Sequence, residues 1–382
     1  MGPGPTDINP RVLAAMSRAT LGHLDPTFID MTEDIKQMLQ KAFKTNNPFT
    51  IPLSSPASAA MEAAIINILS PGEKIIVCRN GVFGMRMTDI IERSGGQAIT
   101  LDDEWGKTID LQKVEDAVKQ HPDAIAVAFV YAETSSGVRA DAPALAKIAR
   151  DAGMLVIADC VTALAGIDLR VDEWGLDIVY SGSQKCLAAP PGLAPLTVSE
   201  RALKKIAARS TKVQSWFLDF ALLGGYFQGK DTKRAYHHTA PINSLYALHE
   251  ALVIVLEEGL DASFKRHLLM HQALEAGLAT MGIKLNVDKE WRLPQLNSVE
   301  IPAGVDDAAV RARLLNDHNL EIGGGLSVSA GKIWRIGLMG YGARQENVFH
   351  CLSALEDALA IEGLEFTAGK AIPAARQVLA TA

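Results

Sequence analysis

The turn Ser181-Gly182-Ser183-Gln184-Lys185 is the segment of this sequence best placed to do covalent chemistry. It follows an apolar run at 177–181 and leads into Ala189-Pro190-Pro191-Gly192, so a lysine leaves a buried strand in a turn of small residues. A lone loop lysine is ordinarily solvated, whereas an amine held at a strand end can act as nucleophile and proton carrier. The run Met154-Leu155-Val156-Ile157-Ala158-Asp159 is a second such strand, ending in a carboxylate. Ligands of open α/β sheets bind at the carboxyl ends of strands. Taken alone, Asp159 reads equally well as a helix N-cap preceding Cys160-Val161-Thr162. Arg335, in Lys332-Ile333-Trp334-Arg335-Ile336-Gly337, sits where a strand would half-bury it. A buried guanidinium needs an anionic partner, either a structural carboxylate or a ligand.

The elements that must position these groups follow from apolar patterning. Short β-branched runs at Lys74-Cys78, Gln97-Leu101, Ala124-Tyr131, Met154-Asp159, Asp177-Ser181 and Leu193-Val198 read as buried parallel strands. Helical periods lie between them at Ser58-Leu69, Leu111-Gln120, Asp141-Ala152 and Ala202-Arg209, which makes the class α/β with a mostly parallel sheet. From Ser244 to Met281 the pattern is one connecting helix broken near Gly259. Strands at Ser298-Ile301 and Lys332-Gly337 and helices at Ala308-Asn316 and Glu346-Ala360 suffice for a smaller α+β unit. The expected division is 1–257 for a large domain and 258–382 for a small C-terminal one. A weakly amphipathic stretch after Thr367 carries no chemistry.

With 382 residues, a net charge of -7 and no block of like charges, the chain lacks a nucleic-acid footprint. Its four cysteines fall at neither CxxC nor zinc-ligand spacing, and reduced, buried thiols are expected, with no metal. No apolar stretch reaches the roughly 20 residues of a membrane span, and no secretory h-region opens the chain, so the expected location is cytoplasmic. The match of Met1-Gly2-Pro3-Gly4-Pro5-Thr6 to a myristoylation pattern is better read as a proline turn.

A strand-end Asp followed 26 residues later by a strand-end Lys is the spacing of fold-type I pyridoxal phosphate enzymes, which this chain resembles. Five segments resemble the class V alanine-glyoxylate and serine-pyruvate aminotransferases, in family order. They are Leu21-Gly22-His23-Leu24-Asp25-Pro26, Ala132-Glu133-Thr134-Ser135-Ser136-Gly137, Ser181-Gly182-Ser183-Gln184-Lys185, Tyr236-His237-His238-Thr239 and Trp334-Arg335-Ile336-Gly337. The resemblance implies a homodimeric, ping-pong transaminase that moves an amino group from alanine or serine to glyoxylate or pyruvate. Lys185 would carry pyridoxal 5'-phosphate as a Schiff base (an aldimine) and shuttle the proton at the substrate Cα. Asp159 would keep the pyridine nitrogen protonated, making the ring an electron sink. Phe83 would stack on the ring where relatives often carry Trp, Val161 would pack on the opposite face, and Thr134 would lie near the ring hydroxyl. Gln184, Ala57 and Ser58 would hold the phosphate, with Tyr236 and Thr239 reaching in from the neighbouring subunit. Arg335 would grip the substrate carboxylate, and Gly4 would lie against the substrate.

One departure from the family stands out. The phosphate cup, usually a Ser/Thr-Gly-Ser/Thr-Gly turn opening a helix, reads Ser54-Ser55-Pro56-Ala57-Ser58, and Pro56 removes an N–H and a hydroxyl. That proline, the sequence Gln184-Lys185-Cys186-Leu187 and Met339-Gly340-Tyr341 keep two other activities of the family in view, pyridoxamine-pyruvate and ureidoglycine-glyoxylate transfer. Arg86 and Arg234 leave room for a dicarboxylic substrate. Cysteine desulfurase chemistry needs a mobile thiolate, whereas Cys351 lies in an apolar helical pattern. A cofactor-binding protein without turnover fits poorly with intact Lys185, Asp159 and Arg335.

Overall fold

The computed structural model describes residues 1–227 and 235–381. Arg234 therefore lies outside the described residues.

Seven strands form the main sheet: β1 (Phe49–Leu53), β2 (Lys74–Arg79), β3 (Gln97–Asp102), β4 (Ala124–Val130), β5 (Leu155–Asp159), β6 (Ile178–Tyr180) and β7 (Ala194–Val198). Their spatial order is β1-β7-β6-β5-β4-β2-β3. Neighbours from β6 to β3 pair in parallel, and only β7 runs against both of its neighbours. Parallel strands covered by helices on both faces bury every residue. Accordingly Ile75–Cys78, Ala126–Phe129 and Val156–Ala158 are solvent-free. Intervening helices are closed by side chains that accept the orphan N–H groups of the first turn, such as Asp110 from Gln112, Asp141 from Ala144 and Ser199 from Ala202. Patterning leads one to expect most of these strands and helices; the expected parallel strand at Leu193-Val198 runs antiparallel, and the helix Val82–Arg93 is not among those expected.

Strand β1 was not among the expected strands. Pro52 interrupts its apolar run and would ordinarily demote it. It is tolerated because β1 is the sheet edge, where Pro52 faces Pro195 of β7.

Five helices bear on the site and its supports: α1 (Ala57–Ile68), α2 (Val82–Arg93), α3 (Ile242–Glu258), α4 (Leu260–Thr280) and α5 (Gln345–Ile361). Between α3 and α4 stands Gly259 at φ 85°, a left-handed conformation that a glycine adopts without strain, so the expected break is there. A second, three-stranded sheet joins Leu296–Glu300 and Gly323–Gly324 to the two sides of Ile333–Gly337. Its core collects Leu274 and Leu278 of α4, Trp334, and Leu355 and Leu359 of α5. Ala371 and Ala375 of the last helix, Ala371–Ala380, also enter this core, so the tail is a packing element.

The first six residues cross between the two sheets. The Gly337 N–H donates to Met1 O at 2.8 Å, and the Thr6 hydroxyl donates to Met339 O at 2.6 Å. The Thr6 N–H then donates to Gln184 O at 3.1 Å, which lays the segment beside the lysine turn. No described helix is long and apolar enough to cross a membrane.

Candidate active site

Asp159 ends β5, opposite Tyr180 of β6 and Val130 of β4, and is only 2% exposed. Its Oδ1 accepts from the Val161 N–H at 2.9 Å. Among the described residues no cation stands within ion-pair distance of it. Burial consequently raises its pKa to about 7, with the negative field of Glu133 acting in the same sense and the Val161 hydrogen bond opposing it. Such a carboxyl is poised to ionise when a cation arrives.

The turn after β6 is held by its backbone. Ser181 N–H donates to Pro195 O at 2.8 Å, Ser183 N–H to Leu193 O at 3.1 Å, and the Ser183 hydroxyl to Pro190 O at 2.6 Å. This fixes the stem from which Lys185 projects. Its Nζ donates to the carbonyl oxygen of Pro3. Burial lowers the Lys185 pKa to about 8, assisted by the positive field of Arg335 and opposed by Asp159. Gly4 lies next to this contact at φ 96°, and a Cβ there would stand 2.6 Å from the Lys185 amine, so the approach requires glycine.

Lys185, Asp159, Val161, Gln184, Phe83, Ala57 and Ser58 line one cavity of about 130 Å³ together with Pro56, Met61 and Arg86. The sequence thus names residues from four segments that the fold brings together. Gln184 turns a buried, unpartnered side-chain oxygen into this neighbourhood. Ala57 opens α1, whose N-cap is Pro56 and lacks a side-chain hydrogen bond. A helix N-terminus, an aromatic face, an uncompensated carboxyl and a lowered-pKa amine are the donor set that pyridoxal phosphate requires, and the residues present fit that group.

Two expected members stand back from the cavity wall. The Thr134 hydroxyl pairs with that of Thr162 at 2.7 Å. Arg335, 7% exposed, donates through Nε to Gly324 O at 2.8 Å and through one terminal nitrogen to Thr134 O at 3.3 Å. No carboxylate among the described residues forms an ion pair with it, and burial lowers its pKa. A buried guanidinium bound only to carbonyls has unspent capacity for an anion.

Tyr236 and Thr239 lie elsewhere. Tyr236 is 65% exposed, its ring 5.2 Å from His23 and its hydroxyl 3.3 Å from Thr239 Oγ1. Neither lines the cavity of its own chain. Cys351 is fully buried in α5, where burial pushes its thiol up to about 12. Among the described residues no group of three or more His, Cys, Asp or Glu side chains could hold a metal.

Glu133, next to Thr134 in the segment 132–137, is a site residue that the sequence pattern does not single out. It is solvent-free, and its Oε1 accepts from Ser135 N–H at 2.9 Å and Ser135 hydroxyl at 2.6 Å. Its Oε2 accepts from Phe83 N–H at 3.3 Å, while Ser135 Oγ accepts from Val82 N–H at 2.9 Å. The pair therefore caps α2 and holds Phe83 and Arg86, which α2 carries to the cavity. The signal available in sequence was an acidic residue directly after a long apolar strand.

Residues 4–348 match the family model described as aminotransferase class-V. The chain is 44% identical to an alanine–glyoxylate aminotransferase from Nostoc sp., with TM-score 0.91 and 94% of each chain covered. Similarity to the ureidoglycine-glyoxylate aminotransferase of Bacillus subtilis is 38% identity with TM-score 0.96, over 100% of this chain and 97% of that one. A pyridoxamine-pyruvate aminotransferase from Mesorhizobium loti is 27% identical with TM-score 0.91, over 100% and 96%.

Proposed function

Because the chain belongs to the class V aminotransferases, we propose that it transfers the amino group of a small amino acid, alanine or serine, to glyoxylate or pyruvate. The observation that carries the small-substrate reading is Arg335, a buried guanidinium whose described partners are all carbonyls. It suits the one α-carboxylate that donor and acceptor share. The arginine among the residues that line the cavity, Arg86, is exposed and not a buried guanidinium of that kind.

Pyridoxal phosphate, when bound, supplies an electron sink that makes the substrate Cα–H acidic. The protein's own groups do the rest. Asp159 holds a proton at the ring nitrogen, and ionisation of its carboxyl is favoured once a cation sits beside it. Lys185 provides an amine that is partly neutral near pH 8 and can accept and return the Cα proton. Phe83 and Val161 restrict the ring, Ala57 and Ser58 offer backbone N–H groups to the phosphate, and Arg335 orients the substrate. A panel of amino donors against glyoxylate and pyruvate tests this reading. Preference for a dicarboxylic donor, or no exchange with any small one, would overturn it.

Arg335→Lys should raise KM for amino donor and keto acceptor alike by about 10- to 100-fold, because a point charge cannot reproduce a bidentate fork. Separate measurement of the two half-reactions checks this. If either KM is unchanged, the carboxylate is held elsewhere.

The cytoplasmic homodimer with shared sites belongs to the same proposal. Its support is the exposed position of Tyr236 outside its own cavity. Subunits of Lys185→Ala refolded together with subunits of Tyr236→Phe/Thr239→Ala should recover activity above the average of the two homodimers at limiting cofactor. One site of each mixed dimer then collects all the lesions and the other is intact. Absence of recovery after verified exchange would remove the shared site.

The second reading, pyridoxamine-pyruvate transfer, is favoured by Pro56 at the N-cap of α1. It predicts a preference for the unphosphorylated vitamer.

A further inference from the structure

The N-terminus of α1 is a poor anion site as it stands. Pro56 at the N-cap has neither an N–H nor a hydroxyl. Its carbonyl also takes the N–H of Ala59 at 2.9 Å and of Ala60 at 3.4 Å, which leaves Ala57 and Ser58 as the first-turn donors. A cation nevertheless stands at this helix end. Arg86, one turn into α2, donates to Ser58 Oγ at 3.0 Å, and its guanidinium lies 5.0 Å from the centroid of the Phe83 ring. It lines the cavity with Ala57, Ser58 and Gln184. Among the described residues no carboxylate forms an ion pair with it. The two arginines near the site are thus divided: Arg335 is tied to Thr134 and Gly324, and Arg86 to the first turn of α1.

We propose that Arg86 is a further side chain that binds the cofactor phosphate, replacing the donors that Pro56 withdraws from the helix N-terminus. The ligand class is a phosphomonoester dianion, which a planar guanidinium matches with two parallel hydrogen bonds. The contact to Ser58 keeps the guanidinium at the helix end where the N–H dipoles converge. Phe83 supports its flat face. Two weak anion devices, a shortened N-terminus and a side-chain cation, then act as one. The inference rests on the reading that this cavity takes pyridoxal phosphate.

The test compares binding of pyridoxal phosphate and pyridoxal to the cofactor-free protein by absorbance titration, in wild type, Arg86→Gln, Arg86→Lys, Pro56→Ser and the double variant Arg86→Gln/Pro56→Ser. Arg86→Gln should weaken pyridoxal phosphate about 10- to 100-fold, the range of one or two charge-assisted hydrogen bonds, and change pyridoxal by less than about threefold. Arg86→Lys should fall between. Pro56→Ser should tighten pyridoxal phosphate by about fivefold in wild type, one neutral hydrogen bond, and by more when Arg86 is absent, since the two devices are redundant. Equal loss of both ligands in Arg86→Gln would make Arg86 a support for Phe83 and overturn the proposal, as would no loss of either. If wild type itself binds pyridoxal as tightly as pyridoxal phosphate, the phosphate-cup reading fails first and takes this proposal with it.

Discussion

Lys185→Ala should fold normally and lose at least about 10⁴-fold in turnover, because no other amine lines the cavity to replace nucleophile and proton carrier together. Stability should not suffer. A lysine whose pKa falls from 10.5 to about 8 on folding binds fewer protons folded than unfolded between those values, so below pH 8 its burial is a cost that alanine removes. The amine also predicts a pH profile. Capture of an aldehyde requires the neutral form, so the rate at which cofactor-free protein takes up pyridoxal phosphate should climb with pH and level off above about 8. Borohydride reduction of loaded protein should fix the cofactor on the peptide bearing Lys185. Labelling of any other lysine would end the assignment, and a flat pH profile would show that the amine is not the titrating group.

Asp159→Asn is expected to separate stability from function. The amide retains an oxygen for the Val161 N–H, so the backbone around β5 keeps its hydrogen bond. The wild-type carboxyl is the more costly group to bury. With a pKa of 3.8 in the unfolded chain and about 7 in the folded one, it binds more protons folded than unfolded across that window. Stability of the cofactor-free protein therefore falls as pH rises from 4 to 7. The variant escapes this penalty and should be more stable above pH 7, by about 4 kcal/mol at most. Below pH 4 the two proteins should melt together. Turnover should move the other way, falling roughly 10²- to 10³-fold, the scale of losing one preorganised charge partner. Melting curves at pH 4 and pH 8 beside steady-state rates check both halves. Equal melting at pH 8 would mean that the carboxyl is solvated, and undiminished turnover would take Asp159 out of the reaction.

The parts of the fold that sequence discloses are those where one force dominates. Buried parallel strands must be apolar throughout, so β2, β4, β5 and β6 and the carboxylate at the end of β5 stand out in the sequence, and the antiparallel β7 stands out because it is buried as completely. Lysine in a small-residue turn stands out for the same reason, since everything near it is buried. Strand β1 did not, because local preference and tertiary context disagree at Pro52 and the sheet edge decides. Glu133 does not stand out because the partner that ties it to α2, the Phe83 N–H, is 50 residues away, a contact that no pattern encodes. Arg86 gave a different difficulty. Its type announced an anion, but only the approach of α2 to α1 brings it to the helix end.

The crossing of residues 1–6 between the two sheets has a consequence for the order of assembly. Residues 1 and 6 are synthesised long before two of their partners, Gly337 and Met339, which lie more than 330 positions later. Closing a loop of that span carries an entropy cost that grows with the logarithm of its length, and the contacts that offset it exist only after the second sheet has formed. The main sheet, with its strands complete by Val198, can gather earlier. During synthesis Lys185 and Asp159 are therefore on their strands before the contacts at Gly337 and Met339 can hold residues 1–6, and with them the carbonyl of Pro3, against the amine. A nascent chain would hold an open, uncapped lysine for the time taken to translate about 140 residues, roughly 7 to 30 seconds at ordinary elongation rates. That interval leaves the site open to free aldehyde cofactor before residues 1–6 close over it.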